Sequence, residues 1–327
     1  MYPYKFEYYR FQLVPKKVVQ LSIDNVAYTY DEIKAKKNEY FSEVLTKTTF
    51  KGKKGNLPYR IVYEKNNIFV LFLSNPKPYS YIHDFQKQQG TTEPFSIIVI
   101  DNNPENQLMA ISRNTEAFSD TKTVVKILSQ TINKHLDHYN VVLHIEPIFQ
   151  KEEFWKIVGG KKEEISMIRF ELIKPNLTNI SGCLKDELKR VIDTTNSHKT
   201  VVEFNAPARA ALEDITPSNN DINGLVDYSA NGGGNIGVKF KHDRKKYQTA
   251  ESIKVELETT EVEIQNAREC NLNSVWFLFL LNHNKYNFFF LDLQMLLKVV
   301  FGCVQGRRRM SRLYTLAHIR ELPFLCV

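Results

Sequence analysis

QLMAISRN (residues 107–114), TKTVVKILSQTINKHLDHY (121–139), NVVLHIEPIF (140–149) and EISMIRFELIK (164–174) follow one another with short polar breaks. Their spacings read as strand, helix, strand, hairpin, strand. Val124, Ile127, Leu128, Ile132 and Leu136 fall on one stripe of a 3.6-residue period, and Thr121, Lys122, Lys126, Asn133 and Lys134 lie mostly off it. Ser119 or Asp120 suits the N-cap, where a side-chain oxygen accepts a free first-turn amide. Val141, Leu143 and Ile145 alternate with Val142, His144 and Glu146, and Ile165, Met167, Phe170 and Leu172 come close to the same rhythm. Residues 151–164, with Gly159 and Gly160 followed by KKEE, read as the loop between the two strands.

Working outward, the N-terminal stretch alternates Tyr2, Tyr4, Phe6 and Tyr8 and then changes parity to Tyr9, Phe11 and Leu13, which predicts a strand with a bulge near Tyr8. Residues 30–45 read as a helix with Asp31 near its cap. Residues 59–63 and 68–73 form a hairpin, and 95–100 pairs with 107–112 across a turn. After a break at 175–182, Cys183–Thr195 reads as a short amphipathic helix and 200–204 as a strand. Gly232–Gly234 sits between two strand-like segments, the second of which runs into GVKFKHDRKKY (237–247). Three domains are expected: an N-terminal domain at 1–180, a smaller module at 181–269 and an apolar tail at 270–327. The class is α+β, with a mixed or mostly antiparallel sheet and packed helices.

The chain is long enough, at 327 residues, to bury a sizeable core. Forty-four basic against 37 acidic residues leave a net charge of +7, which permits an acidic partner without requiring one. Cys183, Cys270, Cys303 and Cys326 show no CxxC spacing. Zinc and a disulfide framework are therefore not expected, and a reducing cytoplasmic compartment is. The tail admits three readings: a buried helix pair, an interfacial membrane segment with GRRR (306–309) as its cationic flank, or an extension from a shifted reading frame. No uninterrupted apolar run in it reaches the ~18–20 residues of a spanning helix.

The basic residues suggest a partner. Lys239, Lys241, Arg244, Lys245 and Lys246 cluster on the predicted hairpin, where one cationic face could follow a phosphate backbone. Lys53 and Lys54, in the basic loop 47–56, and Arg113 are second contributors. No nucleophile motif, metal motif or cofactor loop is present, and no cofactor is expected. His144 reads as a satisfied structural histidine. An enzyme with a site scattered in sequence stays open as the rival reading and predicts carboxylates and histidines gathered in one cleft. A membrane-associated partner protein using the tail is the second rival.

The order of these elements, preceded by IFVLFL (68–73) and FSIIVI (95–100), resembles the Rex A family of phage-exclusion proteins and related defence proteins such as the B component of the Kiwa system. Ile145, Glu146 and Pro147 carry the likeness most directly. It covers residues 59–174, with a weaker echo at 239–254. The resemblance implies a soluble, dimeric DNA-binding protein of bacterial antiviral defence that works beside a membrane protein partner.

Overall fold

The computed structural model describes residues 4–17, 29–53, 55–252 and 256–259. The expectations for the tail at 270–327 and for Lys54 lie outside them. The described residues fall within one compact unit, Met1–Glu261.

Tyr4–Pro15 (β1) opens the first sheet. Behind it, in chain order, come helix α1 (Tyr30–Lys47), the short pair β2 (Lys51–Gly52) and β3 (Gly55–Asn56), and strands β4 (Tyr59–Lys65) and β5 (Ile68–Ser74). Next are the ribbon β6 (Lys77–His83) and β7 (Gln86–Thr92), strands β8 (Phe95–Asp101) and β9 (Leu108–Ser112), helix α2 (Thr121–Leu136) and β10 (Val141–Pro147). The first sheet runs β10-β1-β9-β8-β5-β4, and β15 (Glu256–Thr259) adds to β1. All of these strand pairs are antiparallel. The class is α+β, as expected.

The stripe on α2 packs as its spacing requires. Val124, Leu128, Ile132 and Leu136 are buried, and Ile127 is half-buried. Asp120 caps the helix by accepting from the Thr123 amide at 2.7 Å. Asn133, off the stripe, has a separate task. Its amide donates to Leu143 O at 2.9 Å and accepts from Leu143 N at 2.7 Å, so it satisfies the open edge of β10. Helix α1 is capped reciprocally by Thr29 and Glu32, with Asp31 beside the cap in the first turn. The β4–β5 turn uses Asn66 and Asn67, both with positive φ, as a tight hairpin needs.

β1 carries no bulge. Its register against β9 and β10 runs without a shift, and the aromatic residues of both parities are buried because both faces are covered. Tyr9, Phe11 and Leu13 join the core under α1 and α2. On the opposite face, the Arg10 guanidinium is buried and donates to Asn231 O and Asn106 O, both at 2.6 Å.

Residues 151–164 are not a loop. Lys151–Gly160 is a helix, α3, with Phe154 and Val158 buried one turn apart. It carries the chain to a second sheet, so β10 and the next strand β11 (Ile165–Ile173) do not form a hairpin. Beyond β11 come α4 (Thr178–Ser181), α5 (Asp186–Thr194), β12 (Lys199–Asn205), α6 (Asn220–Tyr228), β13 (Gly234–Phe240), β14 (Tyr247–Gln248) and α7 (Thr249–Ser252). The second sheet runs β12-β11-β13-β14. β11 lies before residue 180 and pairs with strands after it, so this sheet draws on both sides of that position. Ile168, Phe170 and Leu172 pack under α3 and α6 in a second core. A helix, not a strand, precedes the glycines: α6 runs into a π-helical turn at Ser229–Gly233. Gly232 takes φ +80°, and a Cβ there would lie 2.4 Å from Arg10 Cβ.

Candidate nucleic-acid interface and an adjoining cleft

β13 is held by seven paired positions on β11, and the turn after it returns to the two-residue β14. The predicted cations lie along this connection. Lys239 ends the polar parity of β13, and Lys241, Arg244, Lys245 and Lys246 follow in the turn, all exposed. The side chains of Lys239, Arg244 and Lys245 make no hydrogen bond or ion pair among the described residues, so their ammonium and guanidinium groups face water. Lys241 is committed to the fold. Its Nζ donates to Glu163 O at 3.1 Å and Arg209 O at 3.3 Å, and its amide donates to Glu164 O at 2.8 Å. Lys161 and Asp243, 3.0 Å apart, brace the same turn.

Lys53 is exposed in the turn between β2 and β3, and Arg113 is exposed just past the end of β9. The predicted cations therefore occupy three separate elements, and only those at 239–246 share one.

The face of the second sheet opposite its core is polar and internally paired. Arg169 meets Glu171 at 3.2 Å and Glu203 at 3.3 Å, and Lys199 meets Glu171 at 2.5 Å. Beside this face a cleft of about 350 Å³ is lined by Lys122 and Val125 of α2, Glu146 and Pro147 of β10, and Asn235 and Gln248 of the second sheet. Asn235 and Gln248 bond to each other at 2.7 Å. The Glu146 carboxyl has no hydrogen-bond partner among the described residues. Burial pushes its carboxyl up to about 7, helped by Glu171 and opposed by Lys199. On the same face of β10, burial lowers His144 to about 4, with His198 and Lys199 adding to the effect. The rings of His144 and His198 lie 6.4 Å apart.

One expectation changes here. His144 is not a satisfied histidine, since its Nε2 is buried without a partner. His144 lies near His198 and Glu146 near Glu171, but of these four only Glu146 lines the cleft. Alternation in 141–147 reveals that His144 and Glu146 share a face. That Glu171, His198 and Lys199 meet them depends on the crossing made by α3, a segment whose sequence reads as a loop. A carboxyl poised near neutrality in a cleft can hold or release a proton. Among the described residues no group of three or more His, Cys, Asp or Glu is placed to hold a metal ion, and no helix is long and apolar enough to cross a membrane. In comparisons with known proteins, no family model and no curated sequence matches the chain.

Proposed function

We propose that this chain binds nucleic acid through the phosphate backbone, largely independently of sequence, as a component of bacterial anti-phage defence. The observation that carries the binding reading is the group of exposed, uncommitted cations Lys239, Arg244 and Lys245 on a turn that β11 and the Lys241 strap hold in place. Lys246 extends the group. Phosphate contacts of this kind position a duplex without reading its bases. The defence role, the homodimer and the membrane partner rest on the sequence resemblance, and the defence role is tested by plaque formation on cells carrying the chain.

Replacing Arg244, Lys245 and Lys246 by Ala is expected to weaken binding to unrelated duplexes alike. Removing one cation from a phosphate lowers the salt slope of log K by about 0.9, so the triple variant flattens it by about 2–3. Lys241→Ala instead lowers the melting temperature, because it removes two bonds to backbone carbonyls. A salt titration of each protein on one duplex separates them. An unchanged slope in the triple variant removes the turn from the interface, and no binding by the wild type at low salt ends the nucleic-acid reading.

A second reading has one observation in its favour: Glu146 lines a cleft, and Glu171 lies near enough to act on its carboxyl. In it the chain processes a nucleotide or nucleic acid with Glu146 as the proton-transfer group. Glu146→Gln would then abolish turnover of labelled DNA while leaving the salt slope intact.

A further inference from the structure

The ribbon β6–β7 stands apart from both sheets, since its two strands pair only with each other among the described residues. Seven residues per strand give it a length of about 23 Å at ~3.3 Å per residue. The residues of β6 are exposed throughout, as are those of β7 except the half-buried Gly90. Pairing of Tyr79 with Gly90, Tyr81 with Gln88 and Lys77 with Thr92 fixes one face: two tyrosines in line, with a lysine at one end and His83 at the other. Tyr79 is 49% and Tyr81 41% exposed, and their ring centroids lie 5.6 Å apart with planes tilted by 31°.

Gly90 explains how the first ring lies. A Cβ at residue 90 would sit 2.8 Å from two ring carbons of Tyr79, so the ring lies across the bare backbone and turns its other face outward. Glycine inside a strand weakens it and commonly marks such a close approach.

We propose that this face is a base-stacking platform for single-stranded nucleic acid, with Tyr79 and Tyr81 each receiving a base and Lys77 meeting a phosphate. The inference rests on the nucleic-acid reading above and adds the strandedness of the partner. Three features favour it. Exposed aromatic faces beside cations stack bases without regard to sequence. The 5.6 Å between rings exceeds the ~3.4 Å between nucleotides along a duplex strand, so only an extended, unstacked strand matches it. The apolar side chains are also divided: Ile82 lies on the opposite face and Phe85 at the tip, while Gln86, Gln88 and Thr92 share the face of the tyrosines. A dry contact with a second copy would gather them on one face.

The test uses the full chain, a fluorescein-labelled oligo-deoxythymidylate of about twelve nucleotides and a mixed-sequence duplex of the same length. Removing one stacking ring is expected to cost roughly 5- to 100-fold in affinity. Tyr79→Ala with Tyr81→Ala should therefore weaken single-strand binding by at least about 20-fold and leave duplex binding within about twofold. Tyr79→Phe with Tyr81→Phe should keep single-strand binding, and Gly90→Val should lose part of it by lifting the Tyr79 ring. If the alanine variant binds the single strand as the wild type does while the duplex is still bound, the platform is overturned and the backbone reading stands. If the wild type binds neither probe, both fail. If single-strand and duplex affinities fall together and sedimentation shows a wild-type dimer becoming a monomer, the ribbon joins two copies and the platform is overturned.

Discussion

Glu146 and His144 sit two residues apart on one strand face and titrate in opposite senses. Burial raises the carboxyl from 4.5 to about 7, so the folded chain keeps a proton that the unfolded chain releases between those values. Stability from this group is present at low pH and falls as pH rises through that window, by up to about 3 kcal/mol at ~1.4 per unit. His144 is lowered from 6.5 to about 4, so the unfolded chain takes up a proton first. Its contribution is present above pH 6.5 and is lost on acidification toward 4. The two slopes oppose each other in the wild type. Glu146→Gln should leave a profile that rises with pH between about 4 and 6.5, and His144→Gln one that falls between about 4.5 and 7. Urea unfolding across this range distinguishes them, and three parallel profiles would contradict the assignment. The alternation of residues 141–147 makes the shared face legible in the sequence. The opposed titrations are not legible there, because they depend on how deeply β10 lies under the second sheet.

Among the elements, those with one buried face are readable from sequence and those in other settings are not. The stripe of α2 and the alternation of β10 each have a wet side, so their periods show. β1 has none, and its change of parity imitates a bulge. α3 is short, opens on charged residues and ends in Gly159-Gly160, which read as a turn although Phe154 and Val158 are spaced one helical turn apart. The ribbon is polar at most positions and gives no periodic signal. The glycines of the α6–β13 junction stand out in the sequence, but their cause lies in distant neighbours. Gly232 faces Arg10, and a Cβ on Gly234 would lie 2.0 Å from Glu171 O. Gly232→Ala combines overpacking with a left-handed backbone and should cost about 2–5 kcal/mol. Gly159→Ala and Gly160→Ala, with open space around them and helical backbone, should be neutral or stabilise by about 0.5–1 kcal/mol. Equal effects in urea unfolding at all three positions would contradict this account of the junction.

At the scale of the whole molecule, β1 is the member on which both sheets depend. Four strands and two helices build the first core against one of its faces and edges, and Arg10 on the other face reaches the π-helical turn that leads into β13. Its partners also come from distant parts of the chain. Tyr4 is registered opposite Thr259, and Glu7 opposite Glu256. The antiparallel pair therefore has residues 4 and 259 at the same end. Tension applied between them would load the ladder one bond at a time, from its outermost rung inward. Tension between residues 4 and 141 would instead draw β1 along β10, where Pro15 faces Val141, and strain seven rungs together. Single-molecule pulling on the full chain through those two tether pairs should give a low, gradual opening in the first geometry and a single higher rupture in the second. The fold is thus mechanically anisotropic, soft where its first and last described strands meet and stiff where β1 runs along β10.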